Sequence, residues 1–399
     1  MPLLQGMTWN HPRGLEPLRA ASRECARRHP EVAVEWSARS LREFEDVPVD
    51  ELARRYDVIA IDHPFVGQAA TSRAVVALDE VLPAEVITDQ RDHAVGPSAR
   101  SYTMNGHQWA LAMDAAAQVS AYRPDLLPEL PPRRWDEVVA LLKGLPDGVR
   151  TELPANPTHL WATFLSLCHH IAVAADPASG RPLSTGSPAW WPAEGILPDV
   201  AGGALELLRT LTGLVDPVSW DRDPIGTLDA MADGAPVAYV PLVFGYSNYA
   251  RPGFARHRVG FADAPSITGE VAGTMTGGVG LAVSARCTDI PAAAEFARYV
   301  VSAACQRGTY VRVGGQPAHR SAWTDPAVDE LVPGFFPSTL ATVEASFVRP
   351  RSPGYPAYQQ KAGRLLHERL RRGEPTSALV RDLGALWRAS GGYGEAIEP

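Results

Sequence analysis

The chain has 399 residues, 37 Lys and Arg against 45 Asp and Glu, a formal net charge of -8, and 45% hydrophobic content. That length exceeds one ordinary core and suits two domains of about 150 to 200 residues each. The acidic balance argues against nucleic acid or an anionic membrane as partner, since both select a basic face, and no apolar run approaches the ~18 residues of a membrane span.

The first hundred residues alternate strand and helix. Leu3–Trp9 reads as a strand, and Leu15–Arg28 as a helix with Leu15, Leu18, Ala21 and Cys25 on one face. Val32–Trp36 is a second strand, Val49–Arg55 a short helix, and Asp57–Ile61 a buried strand. This order predicts a parallel, doubly wound sheet, in which ligands sit beyond the carboxyl ends of the strands. Those ends are Trp9-Asn10-His11-Pro12-Arg13 and Asp62-His63-Pro64. Asn105-Gly106 then joins two short apolar runs as a hairpin turn. Asp114 and Gln118 follow as a polar knot, before Tyr122 and a reversal at Pro124-Asp125.

From Pro131 the pattern becomes more helical, with apolar repeats over Trp135–Leu142, Thr158–Ala172 and Ala201–Leu214. Asp176–Pro198 is rich in Pro, Gly and Ser and reads as a long surface loop carrying Trp190-Trp191. Pro236–Val243 is an apolar strand closed by Phe244-Gly-Tyr-Ser-Asn-Tyr249, and Gly277–Val283 is a strand opened by glycines. A helix over Ile290–Ala304 and amphipathic helices over Gln359–Leu370 and Ala378–Arg388 complete the pattern. Cys25, Cys168, Cys287 and Cys305 are widely spaced in apolar segments, so buried free thiols are expected and a structural zinc site is not.

The hairpin leading through Asp114 and Gln118 to Tyr122 resembles the first hinge crossing of the family 1 extracellular solute-binding proteins, the ligand receptors of ABC importers. Other segments resemble that family in order and spacing. They are Val66-Gly67-Gln68 with Val76–Leu82, Pro132 with Trp135-Asp136-Glu137, and Met231–Ala238. Gly277–Ser284 with Ala292–Ala297 and Gln306 resembles the return into the first lobe. The family's usual Thr before the Trp135 helix is missing. The resemblance implies an α/β, two-lobed, periplasmic-binding-protein-like fold of type II, each lobe a mostly parallel sheet flanked by helices. One lobe would hold 1–112 and 274–325, the other 113–273 and 326–399. It implies binding of a small polar solute (sugar, polyol or carboxylate-bearing molecule) by hinge closure. The expected chain is monomeric, needs no cofactor or metal, and has an ABC permease as its possible partner. The chain opens on its first strand without a secretion or lipid-anchoring pattern, which predicts a cytoplasmic location unless it is a trimmed mature form.

Sugar and polyol sites combine aromatic faces with directional hydrogen-bonding groups. The candidate aromatics are Trp9, Trp161, Phe244, Tyr246 and Tyr249; the polar candidates are Asn10, Asp62, Asp114, Asn248 and Gln316. For each aromatic, packing in the core is the competing role. His11, Arg13 and His63 at strand ends would suit a carboxylate or phosphate, or Arg13 opens the helix as a solvated residue. Gly277, Gly278 and Gly280 could let backbone amides approach an anion, although tight turning is the expected role. Of Arg349 and Arg351, at least one is expected to be solvated. His169-His170 point in different directions and form no metal pair. An alternative is a cytoplasmic enzyme on the same scaffold, with His11, Asp62, His63 and Asp114 as acid–base groups.

Overall fold

A computed structural model of the protein describes residues 3–41, 43, 47–183 and 186–391. Met1-Pro2, part of the long loop (184–185) and the end of the second expected lobe (392–399) lie outside the described residues. The strands are β1 (Leu4–Trp9), β2 (Val34–Arg39), β3 (Val58–Ile61), β4 (Thr103–Met104), β5 (His107–Gln108), β6 (Leu111–Tyr122), β7 (Arg150–Thr151), β8 (Val237–Phe244), β9 (Gly260–Ala262) and β10 (Thr276–Val283). Helices of at least ten residues begin with α1 (Pro12–Arg28), α2 (Ala84–His93), α3 (Trp135–Gly144), α4 (Pro157–Ala175) and α5 (Pro198–Thr212). They continue with α6 (Pro224–Asp233), α7 (Ile290–Val301), α8 (Phe335–Glu344), α9 (Tyr355–Arg371) and α10 (Thr376–Ala389).

Many prolines sit at helix starts. Asn156 accepts a hydrogen bond from His159 N ahead of Pro157, and Asp223 accepts from Gly226 N ahead of Pro224. A side-chain oxygen satisfies an orphan amide, while the proline has no N–H to leave unpaired. The Asn105-Gly106 hairpin forms as expected: both residues have positive φ, 53° and 77°, which the tight turn between β4 and β5 requires.

The strands line up in the order β2-β1-β3-β10-β6-β8-β7, with β9 also on β6. The first three are parallel, as the alternating pattern predicts; β10 and β6 add to them antiparallel. β6 is the pivotal element. Its first half, through Ala117, pairs with β10, and its last residues, from Gln118 to Tyr122, pair with β8 and β9. One continuous strand therefore passes from one half of the sheet to the other. The chain returns along β10 and crosses a third time beside it, where Phe347 N bonds to Thr274 O and Thr276 N to Phe347 O.

α1 and α7 cover one face of the β2–β1–β3–β10 region, where Leu18, Ala21, Cys25, Phe296 and Val300 share a core with Trp36 of β2. A second core joins α4, α5, α9 and α10 around Trp161, Trp191, Tyr358 and Trp387. The Trp190-Trp191 pair belongs to that core, which corrects the surface-loop expectation: both rings are completely buried. Trp190 Nε1 donates to His169 Nδ1 at 3.0 Å, and Trp191 packs against Trp161, Tyr355, Tyr358 and Trp387. Two indoles bury enough apolar area to draw a Pro/Gly-rich segment inward. All four cysteines are buried free thiols.

Candidate functional site

The tips of β1 and β3, the crossing strands β6 and β10, the end of β8 and the start of α4 converge on one cleft. About 90 Å³ of it is accessible to a water-sized sphere, within an envelope of about 730 Å³ that includes open solvent. Trp9, Arg13, Asp62, Asp114, Phe244, Tyr246, Gly277 and Gly278, all expected from the sequence, line it.

Arg13 is neither solvated nor available as an anion fork, and this corrects both earlier readings. Its guanidinium forks onto Asp114, with Nε 2.8 Å from Oδ2 and Nη2 2.5 Å from Oδ1, and Nη1 donates to Gly245 O at 2.8 Å. It lies 4.5 Å over the Tyr246 ring. Both charges are buried. Burial pushes the Asp114 carboxyl up, with Arg13 only partly offsetting it, while the pull of Asp114 raises Arg13 despite its own burial. The fork geometry favours two charged partners. This contact joins the start of α1 and β6 to the residue after β8.

A second guanidinium closes the other side. Arg349 Nη2 lies 3.0 Å from Asp62 Oδ2, Nε donates to His63 Nε2 at 3.2 Å, and Nη1 donates to Gln359 Oε1 at 2.7 Å. Burial pushes Asp62 up, but Arg349 and His63 outweigh it and hold the carboxyl down at about 2. Burial, then Arg349, lowers His63 to about 4, so the imidazole is neutral at pH 7 and can accept that bond. Arg349 and Arg351 are both buried, against the expectation that one would be solvated; Arg351 Nη1 donates to the carbonyls of Arg100, Ser101 and Thr103.

His11 caps α1, its Nδ1 accepting from Arg13 N at 3.0 Å, and packs edge-on against Tyr246 with centroids 4.8 Å apart. Burial, then Arg13, lowers it to about 3. All four candidate acid–base groups are thus engaged: His11 in the cap, Asp114 on Arg13, and Asp62 and His63 on Arg349.

The glycines of β10 make close contacts inside a strand and do not form the expected turn. A Cβ on Gly277 would lie 2.7 Å from the Phe244 ring, and one on Gly280 2.6 Å from Tyr102. Gly278 has φ +106 beside the bulge between Val279 and Gly280.

Several expected residues do not line the cleft. Asn10 is exposed. His11 and His63 lie just behind the lining. Trp161 is wholly buried in the helical core, because the neighbouring face of α4 (Thr158, His159, Ala162) fronts the cleft instead. Tyr249 donates to Asp229 Oδ1 at 2.7 Å. Gln316 ties Ser247 N and Ala115 O together, and Asn248 is buried. The sequence analysis missed Leu41, Thr158, His159, Pro224, Met275 and Gln359. The Asn156-Pro157 pair marks a helix start in the sequence, but nothing local to it places Thr158 and His159 at a cleft. Burial lowers His159 to about 4, and its ring meets Phe244 edge-on at 6.2 Å.

Residues 51–332 match the model of a family described as bacterial extracellular solute-binding protein. No curated protein sequence matches the chain. Among solved structures, MalE3 of T. maritima bound to maltose superimposes with a TM-score of 0.78 at 17% identity, over 97% of this chain and 99% of that one. An ABC transporter solute-binding protein of Agrobacterium radiobacter K84 in complex with ribitol gives 0.73 at 20% identity, over 96% and 97%. UgpB of Mycobacterium tuberculosis in complex with glycerophosphocholine gives 0.74 at 16%, over 98% and 98%. At these identities the likeness is one of fold, and that fold is the two-lobed, periplasmic-binding-protein-like one. Among the described residues, no helix is long and apolar enough to cross a membrane.

Proposed function

The chain belongs to the bacterial extracellular solute-binding proteins, and from that premise we propose that its cleft holds a small, uncharged polar solute of the sugar or polyol class. The observation that carries this reading is the pairing of charges. Arg13 is forked onto Asp114 and Arg349 onto Asp62, so neither cation is offered alone to an anion. Trp9, Phe244 and Tyr246 supply ring faces beside them, and Thr158, His159 and Gln359 supply hydrogen-bonding groups. The similar folds bound to maltose and ribitol support the same class. A lobe of 1–112 with 274–325 would close on one of 113–273 with 326–399, and an ABC permease would receive the solute outside the membrane.

Thermal-shift and calorimetric titration with sugars, polyols, carboxylates and a glycerophosphodiester tests this. A neutral compound should raise the melting temperature by mass action, and Phe244→Ala should weaken its binding roughly tenfold, the worth of about 1.4 kcal/mol. Stabilisation by carboxylates alone, or by no compound at millimolar concentration, would remove the proposal.

A further inference from the structure

On the first lobe, away from the cleft lining, α2 ends in Asp89 and His93, four residues apart and so on one face of the helix. His93 Nδ1 lies 2.9 Å from Asp89 Oδ1. His319, distant in the chain, meets them through an isolated bridge between Ala94 and its own backbone, and the His93 and His319 rings stack with centroids 5.5 Å apart and planes 8° from parallel. One ligand atom from each of the three residues falls within 4.8 Å of the others.

The second observation concerns His319 alone. Its side chain is only 5% exposed, and Nε2 is buried with no hydrogen-bond partner, facing Asp89 Oδ2 at 3.6 Å. That separation is too long for a hydrogen bond, and an orphaned buried nitrogen is costly. It is close to the spacing of two ligands on one tetrahedral ion, about 3.3 Å for metal–ligand bonds near 2.0–2.1 Å.

We propose that Asp89, His93 and His319 bind one divalent transition ion of the zinc class, with water in the fourth position. The ion clips the end of α2 to the 316–321 segment. Two imidazoles and a carboxylate suit zinc and its neighbours over magnesium or calcium, which take oxygen ligands. Coordination through Nε2 puts the His319 proton on Nδ1, where Ser321 Oγ at 2.8 Å can accept it and hold the ring. Such coordination gives up the longer contact from Ser321 N at 3.3 Å. The ion also replaces the proton shared by Asp89 and His93. Arg307, whose charge acts on His319, is held by Asp325 at 2.7 Å. The clipped segment includes Gln316, which bonds to Ala115 of β6 and to Ser247 beyond β8, so the ion would brace a link to the crossing strand.

Tag-free, EDTA-treated full chain titrated calorimetrically with Zn²⁺ at neutral pH should show one site per chain. Exposed His93→Ala should weaken that site roughly tenfold or more without altering the fold, and His319→Gln should do the same. Co²⁺ should give the intense visible bands of a four-coordinate site, lost in His93→Ala. No uptake at submillimolar Zn²⁺, or equal uptake by wild type and His93→Ala, would overturn the proposal. Should His319→Gln fail to fold, the His93→Ala comparison decides alone.

Discussion

Gly278 shows how tightly single residues are fixed around the cleft. Its φ of +106 is one that side-chain-bearing residues rarely adopt, and an added Cβ would sit 2.3 Å from the Asp114 carbonyl oxygen. Gly278→Ala should therefore cost about 1–3 kcal/mol, read as a lower denaturation midpoint; an unchanged midpoint would mean the bulge relaxes freely. Arg13 and Asp114 make a sharper case. Removing one partner leaves a buried charge alone, so Arg13→Ala should cost about 3–5 kcal/mol, whereas Arg13→Met with Asp114→Leu should be far less damaging. Urea unfolding of the two variants compares them directly, and equal losses would show that the charges contribute only through packing. The position of Arg13 at a helix start is legible in its neighbours Asn10-His11-Pro12. Its partner, 101 residues away, is not.

Among the elements, α4 carries the clearest pH dependence. His170 Nδ1 accepts from Trp135 Nε1 at 3.0 Å and its Nε2 donates to Gly273 O at 2.8 Å; His169 sits likewise between Trp190 and Ala272 O. Both rings are neutral in the fold. Burial, the largest cause for each, lowers them to about 3 for His169 and about 4 for His170, from an ordinary value of 6.5. The unfolded chain binds the extra protons first. Stability is therefore complete above about pH 6.5 and is lost as pH falls toward 4 and then 3, by up to about 3 kcal/mol for His170 and about 5 kcal/mol for His169. Melting temperature should fall steadily between pH 7 and 4, and less steeply in His170→Gln; a flat wild-type profile would contradict the assignment. The apolar repeat of α4 is visible in the spacing of its residues, and its two histidines are expected from that spacing to form no metal pair. Which ring meets which tryptophan depends on a loop folding back, and no local pattern encodes that.

For the whole molecule, the two guanidinium contacts bear on how the lobes move. Under the proposed lobe division, Arg349 joins the tip of β3 to α9 through Asp62 and Gln359, and Arg13 reaches Gly245 beyond β8. Contacts that exist only when the jaws meet bias the open–closed equilibrium toward closure. Asp62→Ala should therefore enlarge the radius of gyration of the ligand-free protein in small-angle X-ray scattering, and a bound solute should reduce it again. Superimposable curves for variant and wild type would show that this tie does not hold the jaws. By itself the sequence determined the alternation of strand and helix through Ile61, the Asn105-Gly106 turn, and the strand tips at Trp9 and Asp62, because periodicity and turn chemistry act between near neighbours. Only the tertiary structure decided that Arg13 and Arg349 are neutralised, that Trp190 and Trp191 are core, and that His159 and Gln359 reach the cleft. Charge pairing and burial depend on distance in space, and the partners in each case come from parts of the chain whose local patterns carry no record of one another.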